Sequence, residues 1–155
     1  MKGIIATLIL LAAAAAAASP IAQPQLVSFA PLVGHCFVGA LPGNEGTDRH
    51  CFESVYGGQH IRDRHAVTVG GKAVYEGETL YSAKGGDVIF TYWNSIGGLG
   101  TGTASLAPEQ WRFSGTVHGT PDGKEQPIAT VWKLTPDGYD VSSPGQPPRP
   151  FKRAD

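Results

Sequence analysis

His35, His50, Asp63 and His65 are the residues with the most chemistry to offer, because short antiparallel strands would bring them together. A His-Cys-Phe triplet occurs twice, at His35-Cys36-Phe37 and His50-Cys51-Phe52, and the two triplets hold both cysteines of the chain. If Cys36 faces Cys51 across a hairpin, the turn centres on Gly43-Asn44, within the turn-forming segment Leu41-Pro42-Gly43-Asn44-Glu45-Gly46. A two-residue turn at Gly57-Gly58 then sets His50 opposite His65, Phe52 opposite Asp63 and Glu53 opposite Arg62. Directly opposed residues have Cβ atoms roughly 4.5–5.5 Å apart, so two such imidazoles could share a metal, given a third ligand. If Gly70-Gly71 is also a two-residue turn, Glu76 falls opposite His65 and Glu78 opposite Asp63. The candidate ligand-binding set is therefore His35, His50, Asp63, His65, Glu76 and Glu78. Four chemistries are open to it: polar anchors for a ligand, a metal or haem site on His50 and His65, an acid–base pair, or a buried hydrogen-bond network. No spacing is diagnostic of a metal, and the sequence requires no cofactor.

These residues need strands to hold them. Alternation along the first three strands gives one face carrying His35, Phe37, Asp48, His50, Phe52, Tyr56, Ile61, Asp63, His65, Val67 and Val69. The opposite face carries Cys36, Arg49, Cys51, Glu53, His60, Arg62, Arg64 and Thr68. The first face holds the large apolar side chains and is expected to face inward, leaving the disulfide and the Glu53–Arg62 pair outside. Further strand-length segments lie at 73–82, 87–95, 99–105, 109–119, 126–135 and 138–142, separated by Gly- and Pro-containing turns. Nine such segments without a helical period after residue 18 predict an all-β, up-and-down antiparallel barrel of about nine to ten strands. The Pro-rich stretch over 143–155 reads as a disordered tail.

Met1-Lys2-Gly3 followed by the apolar run Ile4–Ala18 reads as a signal peptide over 1–18, with cleavage possible as late as residue 22. The run is shorter than the roughly 20 residues a membrane span needs. In an exported chain, two cysteines without a Cys-x-x-Cys read as a disulfide, the alternative being two buried thiols. The expected location is periplasmic or secreted. A balance of 12 Lys and Arg against 13 Asp and Glu favours neither nucleic acid nor an anionic membrane surface. There is no Gly-x-Ser-x-Gly elbow, no Walker motif and no Cys-x-x-Cys-His.

Several stretches together resemble a group of exported bacterial proteins related to the DUF1579-type, lipocalin-like (calycin-like) β-barrels. They are His35-Cys36-Phe37, His50-Cys51-Phe52, Val55-Tyr56-Gly57-Gly58, Arg62-Asp63-Arg64-His65, Tyr75-Glu76-Gly77-Glu78-Thr79 and Tyr92-Trp93-Asn94-Ser95. The resemblance spans residues 29 to 142 and implies an up-and-down barrel with a small internal cavity, but it carries over no catalytic residue. The expected organisation is one monomeric barrel domain over 26–142. Its expected role is binding a small, partly apolar ligand rather than catalysis. The alternatives are a metal-dependent or acid–base enzyme using the His/Asp/Glu cluster, and a structural protein with a packed interior.

Overall fold

The computed structural model describes residues 20–119 and 121–155, so the predicted signal peptide at 1–18 lies outside the described residues. Ten antiparallel strands follow one another around a closed barrel: β1 (Cys36–Ala40), β2 (Gly46–Val55), β3 (His60–Val69), β4 (Lys72–Lys84), β5 (Asp87–Asn94), β6 (Leu99–Leu106), β7 (Gln110–His118), β8 (Gln126–Thr135), β9 (Gly138–Ser142) and β10 (Arg149–Arg153). Each strand pairs with its neighbours in sequence, and β10 returns to pair with β1. The all-β barrel and its single Cys36–Cys51 disulfide match the sequence-based expectation. That disulfide is compatible with an extracytoplasmic protein. Among the described residues no helix is long and apolar enough to cross a membrane.

The first two ladders have the expected register. Cys36 lies opposite Cys51, and His50 lies opposite His65. The hairpin between β2 and β3 reaches that register by a longer loop than expected. Val55 O accepts from Gly58 N–H at 3.1 Å, with Tyr56 and Gly57 at φ 53° and 67°, so the loop occupies residues 56–59. It is centred on the expected point, which preserves the pairing. Its cost is that Tyr56, expected inside, is 75% exposed. Val69, at the far end of β3 and also expected inside, is exposed as well.

The third ladder departs from expectation. Val69 pairs with Lys72 and Thr68 with Ala73, as a Gly70-Gly71 turn requires, but Val67 pairs with Tyr75. Val74 is thus an extra residue, a β-bulge, and it shifts everything beyond it by one position. His65 therefore faces Gly77 and Asp63 faces Thr79, while Glu76 and Glu78 pair with Ala66 and Arg64 on the outer surface. The shift turns Tyr75, Thr79 and Tyr81 inward in place of two carboxylates, which would have been costly to bury.

The chain termini also differ from the sequence reading. The tail over 143–155 is not all irregular: β10 pairs Pro150 with Asp140, Phe151 with Tyr139, and Phe37 with Arg153. Phe151 is 1% exposed and stacks on Tyr139 with ring centroids 5.1 Å apart, an apolar burial that justifies ordering the segment. The barrel domain therefore extends beyond residue 142. At the other terminus, a 3-10 helix at Pro24–Phe29 starts on a proline and buries Leu26 and Phe29 completely. Phe29 packs on Tyr81 and Trp111, at 4.6 and 4.7 Å between centroids. Gln25 Nε2 donates to Gly85 O, and Ala22 N–H to Gly58 O, so the helix plugs the barrel end that carries the β2–β3 and β4–β5 turns.

Candidate functional site

Toward the end away from the plug the barrel is hollow. A cavity of about 220 Å³ is lined by Phe90, Phe113, Val117, Ile128, Trp132 and Tyr81 on its apolar side. The polar side carries His50, Asp63, His65 and Tyr92, with Thr79 and Thr130 also contributing. Inward alternation on β7 and β8 supplies Phe113, Val117, Ile128, Thr130 and Trp132.

The polar wall is a continuous network on β2, β3, β4, β5 and β10. His50 Nδ1–H donates to Asp63 Oδ2 at 2.8 Å, and His50 Nε2–H to Asp48 Oδ1 at 3.3 Å. His65 Nδ1–H donates to the same Asp48 oxygen at 3.3 Å, while its Nε2 lies 3.4 Å from the Tyr92 hydroxyl. Tyr92 in turn hydrogen-bonds Tyr75. The second oxygen of Asp48 accepts from Arg149 Nη2 at 2.9 Å, and the same guanidinium sits 4.7 Å over the Phe151 ring. Asp48 and Asp63 are 5% and 2% exposed. Asp63 Oδ1 has no hydrogen-bond partner among the described residues.

Charge follows from these contacts. Burial by itself pushes the His50 imidazole down, but the carboxylates of Asp63 and Asp48 on either side overcome it and raise the group to about 10. Burial pushes Asp48 up, and hydrogen bonds and charge from His50 and His65 more than reverse this, holding it well below the usual carboxylate range. Tyr81 and Tyr139 are driven upward by burial and then by the Asp63 charge, and Tyr92 by burial and its bond to Tyr75. All three remain neutral hydroxyls.

Of the residues singled out from sequence, His50, Asp63 and His65 converge. His35 does not: it lies just before β1, about one-third exposed, 3.2 Å from Asp155 Oδ2. Glu76 and Glu78 are carried outside by the Val74 bulge. The sequence-based candidate set lacks four residues of the network, of which Tyr75 is turned inward only by the Val74 bulge. Asp48 was assigned inward by alternation yet left out of the set, although it sits two positions from His50. Tyr92 lies on β5, whose segment 88–93 is apolar on both faces, so alternation does not mark which residues turn inward. Arg149 was hidden in a proline-rich segment; the alternation Arg149-Phe151-Arg153 is the signal that marks it.

No protein-family model matches the chain, and no curated protein matches its sequence. The site has to be interpreted from its own geometry.

Proposed function

We propose that the protein is an exported binding protein that takes up a small, largely apolar molecule with one polar end, seated inside the barrel. The observation that carries this reading is the amphipathic cavity. An aromatic and aliphatic wall faces a hydrogen-bonding wall of His50, His65 and Tyr92 across about 220 Å³. A dry cavity of roughly 150 Å³ already admits benzene, so this one suits a single ring or short chain bearing a polar group. The apolar side would supply affinity by burial; the imidazoles and hydroxyl would fix orientation. Export is supported by the leader-like Met1–Ala18 segment and by the disulfide. The resemblance to DUF1579-type, lipocalin-like barrels belongs to the same proposal, since it implies a barrel with a small internal cavity.

The test is cavity filling. Ile128→Trp should occupy the apolar side and abolish uptake of small aromatic or short aliphatic carboxylates, followed by Trp132 fluorescence, while the fold survives. Native mass spectrometry of protein purified without organic solvent should detect a retained molecule in the unaltered chain and none in the variant. Failure of every such compound to bind, together with a higher melting temperature of the filled variant, would mean the space is only a packing defect.

A further inference from the structure

Asp48 Oδ1, His50 Nε2 and His65 Nδ1 all lie within 4.8 Å of one another, and two of their separations are 3.3 Å. Nitrogen and oxygen ligands about 2.0–2.1 Å from a tetrahedral ion are separated by about 3.3 Å. Two of the three separations thus already match the spacing an ion would impose, and the third is bounded at 4.8 Å. We propose that Asp48, His50 and His65 form a three-ligand site for a divalent transition ion of the zinc class on the polar wall of the barrel.

Three further observations support the assignment. Each imidazole has its other nitrogen engaged: His50 Nδ1 with buried Asp63 and His65 Nε2 with the Tyr92 hydroxyl. This is the outer arrangement that fixes ring orientation and raises basicity in histidine metal sites. Asp48 has one oxygen committed to Arg149, which orients the carboxylate and leaves Oδ1 turned to both imidazoles. Finally, the network joins two buried carboxylates, one guanidinium and the His50 imidazole, so an ion bound at His50 Nε2 would take the place of a proton there and keep the buried charge compensated. Two nitrogens and one oxygen suit zinc and its first-row neighbours rather than calcium or magnesium, which prefer all-oxygen shells. With three protein ligands, a fourth position stays open, and His50 and His65 both border the cavity. The site does not depend on the cavity holding an organic ligand.

The experiment uses the untagged chain without its leader, stripped with a chelator and titrated with zinc chloride by calorimetry. One ion per chain is expected. His50→Gln and His65→Gln should each weaken binding at least 100-fold. Asp63→Asn, which alters only the partner of His50, should weaken it by about 10–100-fold. His118→Ala, at an exposed histidine paired with Glu125, should leave it unchanged. Absence of zinc binding by folded protein, or one-ion binding retained in the His50→Gln/His65→Gln double variant, overturns the site. Should the histidine variants fail to fold, cobalt(II) added to the unaltered chain decides. Strong visible absorption of a low-coordinate ion, with paramagnetic shifts centred on His50 and His65, supports the site; the spectrum of the aquo ion, or shifts centred on His35 or His118, overturns it.

Discussion

His50 and His65 stack across the β2–β3 ladder with ring centroids 4.7 Å apart, yet they offer different nitrogens, Nε2 and Nδ1, to one oxygen of Asp48. The strands set the ring spacing, and the carboxylate sets the ring orientation. From β10, on the far side of β1, Phe151 packs edge-on against His50 at 5.1 Å between centroids.

Removing His50 should therefore be expensive. In His50→Ala, Asp48 and Asp63 lose the cation between them while remaining buried. The expected loss is about 3–5 kcal/mol in urea unfolding, as for other broken buried ion pairs. A loss below about 1 kcal/mol would mean that the carboxylates find solvent without it.

The pH dependence of the metal-free protein should have two arms. His50 is raised from 6.5 to about 10 on folding, so its contribution is complete below pH 6.5 and is lost as pH rises toward 10. Asp48 is lowered from 3.8, so its contribution is complete above the ordinary carboxylate range and is lost as pH falls below it. Urea midpoints across pH should peak between these limits, on the mildly acidic side of neutral. In His50→Gln the alkaline arm should flatten.

Gly77 stands directly opposite His65, and a Cβ there would run into His65 Nε2 and the Tyr92 ring. Gly77→Ala should displace the imidazole without changing any polar residue. Zinc affinity should fall at least 10-fold and stability by about 1–3 kcal/mol, as overpacking does. Calorimetry and urea unfolding on the same preparation measure both.

Phe151→Ala should cost about 3–5 kcal/mol, because the ring is buried against Tyr139 and His50. Hydrogen exchange should accelerate in β1 and β9 together, since β10 bridges them. Exchange confined to β10 would show that closure contributes little.

How far the sequence reveals this arrangement depends on where each register is set. For β1 to β3, two cysteines and a glycine pair mark hairpin centres, and alternation then carries His50, Asp63 and His65 inward without further information. Between β3 and β4 the turn is equally plain, but one extra residue at Val74 inverts every later side chain. Such a bulge has no local signature; it is selected by the gain from burying Tyr75 and Tyr81 instead of Glu76 and Glu78. β10 is masked by its prolines, which read as irregular chain. It is tolerated because its link to β1 is short, with register partners only at Lys152 and Arg153. Asp48 and Arg149 are partners 101 residues apart, beyond the reach of any periodicity.

That separation sets an order of assembly. The early hairpins can form locally as the chain leaves the ribosome or crosses a membrane, but the ring has two open edges until the last strand arrives. Asp48 acquires its guanidinium only at that moment. A chain clipped before Arg149 keeps one edge of β1 and one edge of β9 unpaired and a buried carboxylate short of its guanidinium, and should be more readily attacked by proteases. Pairing of β10 thus closes the ring and completes the charge pairing of Asp48 in the same step.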